Sequence, residues 1–116
     1  MPRASSSFAE VTFVDREKVL AELRRAVLEA KAARPEITRV LLFGSWVQGN
    51  WTADSDADLI VVVQREFSGI LDRSPYQIHT RAIQTDSLIY SESEFQQLSQ
   101  DPSSFLSQNL PDALEL

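Results

Sequence analysis

The chain has 116 residues, 43% of them apolar, and a formal net charge of −6. That length suits one domain with one core. The acidic balance argues against a surface that tracks long nucleic acid, which needs a basic face, while leaving room for a local basic cleft. There is no cysteine, so neither a disulfide nor a thiolate metal site can form. No apolar run approaches the ~20 residues that cross a bilayer. Met1 to Ser7 lacks the apolar core of a secretory signal. The expectation is a cytoplasmic protein with no membrane contact.

Residues 1–14 are expected to form a flexible N-terminal segment, and residues 15–116 a single domain. Asp15 is a candidate N-cap for a helix over 16–34. Val19, Leu20, Leu23, Val27, Leu28 and Ala30 supply its apolar stripe at helical spacing. Lys31 and Arg34 suit its C-terminal end, and Pro35 stops it. Ile37 to Phe43 reads as a strand buried on both faces, as does Leu59 to Val63. Residues 65–82, broken by Gly69 and Pro75, are expected to hold a short helix within a crossover. Ile83 to Tyr90 reads as a third strand. Ser91 and Glu94 have capping-box spacing for a helix running to about Gln100. A short helix follows near Ser103–Gln108, and Ala113 to Leu116 is a candidate edge strand, open to pairing with another copy of the chain. The order implies an α/β domain, a small mixed sheet flanked by helices.

Between the first two strands lies the segment that carries the chemistry. Gly44-Ser45 closes the first strand, ten residues follow, and Asp56-Ala57-Asp58 opens the second. Glycine permits a sharp turn and close approach to a ligand. Ser45 opens a helical turn whose amides and hydroxyl suit a phosphate, and Gly49 leaves room on its far side. Asp56 and Asp58 stand two apart, so on a strand both face one way. Convergent carboxylates take up protons or bind a cation, and hard oxygen donors beside a phosphate favour magnesium or manganese. Antiparallel pairing of the first two strands would bring Ser45 beside Asp56 and Asp58. A crossover through 65–82 makes the third strand parallel to the second, which brings Asp86 to the same edge. Three carboxylates can hold two metals and activate a hydroxyl, one ion serving the attacking oxygen and the other the leaving pyrophosphate.

At these residues the chain resembles the minimal nucleotidyltransferases, small members of the DNA polymerase β-like superfamily. Gly44, Ser45, Asp56, Asp58 and Asp86 stand at the positions of their signature, and the likeness covers roughly residues 15–98. The resemblance implies a polymerase β-like palm fold. It also implies transfer of a nucleoside monophosphate, AMP from ATP, out of a magnesium-bound triphosphate to an acceptor hydroxyl. On that basis Asp56, Asp58 and Asp86 are the metal ligands and catalytic carboxylates, with Asp86 the third ligand or general base. Gly44, Ser45 and Gly49 are the nucleotide-binding residues. Many minimal members are antitoxins paired with a helical HEPN-domain toxin, and some adenylylate a tyrosine on it. The resemblance therefore implies a protein partner of that kind.

Many members read Gly-Ser-Arg-x-Arg-Gly, whereas Trp46 and Gln48 stand at the arginine positions here. Arg39, Arg65, Arg73 and Arg81 are the candidate replacements. The alternative is a binding antitoxin that neutralises its partner by complex formation, with catalysis weak or lost. Trp46 and Trp51 could stack on a nucleobase or meet a partner, but the simpler reading is that at least one packs on the sheet. His79 is assigned no role.

Overall fold

The computed structural model describes residues 15–49 and 55–116. The expected N-terminal segment 1–14 and Trp51 lie outside the described residues. Helix α1 spans Arg16–Ala33, strand β1 Ile37–Phe43, the one-turn helix α2 Ser45–Gln48, and strand β2 Ala57–Val63. Two three-residue helical turns, Ile70–Asp72 and Ser74–Tyr76, lead to strand β3, Thr85–Ser91. Helix α3 (Glu92–Ser99), helix α4 (Phe105–Asn109) and a two-residue strand β4 (Leu114–Glu115) complete the order.

The sheet runs β3-β2-β1-β4. β1 and β2 are antiparallel, with Phe43 opposite Asp58. β2 and β3 are parallel and in register from Ala57 opposite Thr85 to Val63 opposite Ser91. β4 pairs antiparallel with β1, placing Leu114 opposite Leu42. The terminal edge strand is thus paired within its own chain.

Each strand alternates its side chains between two cores. Val40, Leu42, Leu59, Val61 and Val63 face α1 and pack with its Val19, Leu20, Leu23 and Val27. Leu41, Phe43, Ile60 and Val62 face the other way, onto Leu106 of α4 and Phe95 and Leu98 of α3. That double burial explains the unbroken apolar runs of β1 and β2.

Asp15 caps α1 as its sequence position predicts, accepting from the amides of Glu17 at 3.0 Å and Lys18 at 3.4 Å. The apolar stripe differs at one place. Leu28 is 70% exposed, while Ala26 is buried. One residue beyond Val27 on a helix is a rotation of about 100°, which carries Leu28 off the buried face.

The crossover 64–84 contains no α-helix, only the two short turns. Pro75 sits at the start of the second turn, where its missing N–H costs nothing. Tyr76 anchors this segment in the α1-side core at 1% exposure. Its hydroxyl donates to Glu36 Oε2 at 2.7 Å and accepts from Arg65 at 3.3 Å. β3 begins at Thr85 rather than Ile83, because the ladder with β2 starts there. Ser91 and Glu94 form the expected capping box. Among the described residues, no helix is long and apolar enough to cross a membrane.

Candidate active site

The site is built at one end of the sheet, where β1 stops and β2 and β3 start. A transverse row crosses the strands there: Asp86 on β3, Asp58 on β2 and Phe43 on β1, paired in register. Register partners in a sheet point to the same face, so the two carboxylates share the α4 side of the sheet with Phe43. Asp56 lies just ahead of β2, two residues from Asp58, and is exposed. Asp86 is also exposed and Asp58 is half-buried.

These positions are electrostatically coupled. Burial raises the Asp58 carboxyl above its ordinary value of 3.8, and the negative charges of Asp86 and Asp56 raise it further. Asp58 therefore feels both of its expected companions, and a cation would relieve the repulsion among them. Among the described residues, no three histidine, cysteine or acidic side chains form a ready metal cage. The three carboxylates line an edge rather than enclose a point. Such an edge suits a hard cation that keeps several non-protein oxygen ligands, as magnesium does when it is shared with a phosphate.

Gly44 makes the closest approach to this edge. Its φ of 82° and ψ of −151° belong to a backbone region essentially restricted to glycine. A Cβ there would lie 2.5 Å from Oδ2 of Asp58. Two independent constraints thus fix glycine at position 44, its own backbone and the neighbouring carboxylate. α2 starts at once: the amides of Val47 and Gln48 donate to the Gly44 carbonyl at 3.1 and 3.0 Å. The Ser45 hydroxyl engages no partner among the described residues. Gly49 ends the turn in the left-handed conformation, φ 92°, its amide donating to Ser45 O at 3.1 Å. Nothing stands within 4 Å of a Cβ at Gly49, so the backbone angle, rather than crowding by this chain, requires the glycine.

Trp46 is wholly buried in the α1-side core, and its Nε1 donates to Ser55 O at 3.2 Å. This position points into the protein, where an unpaired cation would be costly. Gln48 is exposed, so only one of the two positions without an arginine faces outward. Three of the four expected replacements are engaged away from the carboxylates. Arg39 makes a two-point contact with Glu115 at 3.3 and 3.0 Å, four residues down β1 from Phe43. Arg65 follows β2 at its far end and donates to Tyr76. Arg73 grips both Glu94 oxygens at 2.8 Å and the Ile89 carbonyl at 2.7 Å. Arg81 stands on the approach to β3, exposed and without a carboxylate partner among the described residues. Sequence reasoning overlooked Arg16, whose Nε donates to Trp46 O at 3.0 Å across a separation of 30 residues. No local pattern could have signalled that contact.

Comparison with known proteins bears on the family and the fold. The family model for polymerase beta nucleotidyltransferases matches residues 25–112. The chain belongs to that nucleotidyltransferase family. A Methanocaldococcus jannaschii protein, named provisionally as a protein adenylyltransferase, is 28% identical over 82 residues. That alignment covers 71% of this chain and 80% of the relative. A crystal structure of a provisionally assigned nucleotidyltransferase from Sulfolobus solfataricus superposes with a TM-score of 0.60 at 19% identity. It covers 86% of this chain and 80% of that one, and it bears on the fold. The mixed sheet with flanking helices is thus the nucleotidyltransferase fold that the Gly-Ser and Asp-x-Asp spacing implies.

Proposed function

We propose that this chain is a magnesium-dependent nucleotidyltransferase that moves AMP from ATP to a hydroxyl on a protein partner. The observation that carries the reading is the row Asp86–Asp58 with Gly44 packed against Asp58, because it joins a carboxylate edge to a glycine turn that opens a helix. Asp56, Asp58 and Asp86 would hold magnesium or manganese. When bound, such an ion neutralises triphosphate charge and lowers the pKa of an acceptor hydroxyl. Gly44, Ser45 and Gly49 shape the turn that receives the phosphates, with the Ser45 hydroxyl available as a donor. A carboxylate oxygen of Asp86, exposed at the edge, takes the acceptor's proton. The acceptor oxygen forms a bond to the α-phosphorus, the bond from that phosphorus to pyrophosphate breaks, and pyrophosphate leaves. The relative named as a protein adenylyltransferase supports a protein acceptor, and a helical HEPN-type toxin is the partner class that the family likeness suggests.

The test is incubation with α-labelled and, separately, γ-labelled ATP, magnesium and the candidate partner. Label from the α-position should reach the partner and γ-label should not. Transfer from the γ-position, or no transfer with Asp58→Asn indistinguishable from wild type, would defeat the reading.

The turn without arginines favours a second reading, an antitoxin that acts by covering its partner. In that case Asp56→Ala and Asp58→Ala variants would still form the complex and neutralise the partner. Loss of both activities in folded variants excludes it.

A further inference from the structure

We infer that Arg16 is the positioning residue of the phosphate turn and supplies the positive charge that the turn itself lacks. The inference rests on the nucleotide-transfer reading above and adds a residue to it. Arg16 opens α1, and its Nε donates to the Trp46 carbonyl at 3.0 Å, inside the Gly44–Gly49 turn. Among the described residues it is the one cation that donates a hydrogen bond to that turn. Its side chain is 33% exposed, and its other contact is a long one, 3.9 Å to Glu17, itself 80% exposed. An ion pair that open to water neutralises little of the guanidinium charge.

Three features make the contact more than a surface hydrogen bond. The α2 helix is about 6 Å long, so a guanidinium on the Trp46 carbonyl stands within about one helical turn of Gly44 and Ser45. Trp46 is fully buried in the α1-side core, so the turn is held both by its indole and by the Arg16 bond to its carbonyl. Arg39, Arg65 and Arg73 are occupied by Glu115, by Tyr76 and by Glu94 with the Ile89 carbonyl. Guanidinium presents five N–H donors, and the bond to Trp46 uses one. The remaining N–H groups keep the charge and the donors that a triphosphate takes up, while the Nε bond fixes the backbone that receives it.

The test separates charge from scaffolding. Arg16→Gln keeps an N–H donor for the Trp46 carbonyl and removes the charge; Arg16→Ala removes both. Binding of magnesium-ATP and of magnesium-tripolyphosphate is measured by calorimetry on the full chain, with melting temperature recorded alongside. Arg16→Gln should melt with wild type yet bind both ligands about fivefold more weakly. Arg16→Ala should lose about tenfold for both, and in turnover the loss should fall on KM for ATP rather than kcat. Wild-type affinity in a folded Arg16→Ala, or weakening that appears for ATP but not for tripolyphosphate, overturns the inference while leaving the transferase reading intact. Absence of magnesium-triphosphate binding by the wild type defeats that reading, and the role of Arg16 with it.

Discussion

At the residue scale the site is held by one steric relation, Gly44 against Asp58. Gly44→Ala would force a side chain into a glycine-only backbone region, a strain of about 1–3 kcal/mol. It would also drive a methyl group into Oδ2 of Asp58. The variant should melt lower and lose transfer activity, and circular dichroism with the labelled-ATP assay checks both. Asp58→Asn should separate the two properties. The Asp58 carboxyl is raised above 3.8 by burial and by Asp86 and Asp56. A raised carboxylate pKa means that the folded state holds its proton more tightly than the unfolded chain. Asp58 therefore costs no stability below pH 3.8, and its penalty grows as pH rises past that value toward the raised one. Asp58→Asn should melt above wild type at pH 7, with the difference vanishing below pH 3.8, while activity is lost. Equal melting at pH 7 would show that the carboxylates do not oppose one another in the folded chain.

Elements position the site through contacts far from it. The α3 N-terminus carries a capping box, and Arg73 on the crossover grips the box's Glu94. Together these hold the Glu94 carboxyl down to about 2, the Arg73 hydrogen bonds first among the causes. A depressed pKa contributes stability above the unfolded value of 4.5 and loses it as pH falls toward about 2. Arg73→Gln should cost about 1 kcal/mol near neutrality, the pair being partly exposed, and less at pH 2, where most of the Glu94 contribution is gone and the bond to the Ile89 carbonyl remains; denaturant melts across that range would show it. Tyr76 anchors the same crossover. Tyr76→Ala should cost about 3–5 kcal/mol and weaken β3, which carries Asp86. Most elements were legible in the sequence because their signals are local: Asp15 before α1, Ser91 and Glu94 before α3, the apolar runs of β1 and β2. The crossover was not. Its form depends on burying Tyr76 and Ile78 under α1, which the breakers Gly69 and Pro75 do not reveal. The ends of β2 and β3 were misjudged by two residues because the ladder between them, rather than hydrophobicity, decides where each begins.

For the whole molecule, the spacing of Gly44, Ser45, Asp56 and Asp58 implied the topology as well as the chemistry. Antiparallel β1–β2 gathers those residues, and parallel β2–β3, expected from the length of the crossover, brings Asp86 to them; both pairings are present. The burial of Trp46 and the reach of Arg16 to its carbonyl were invisible in sequence, since each is a long-range packing relation. On the proposed function, the carboxylate edge and the Gly44 turn bind a metal-triphosphate as one unit. The most direct measurement is calorimetric titration of ATP with magnesium present, with magnesium chelated, and with Asp58→Asn in magnesium. Saturable binding is expected in the first condition and at least tenfold weaker binding in the other two. Equal affinity in all three would contradict it.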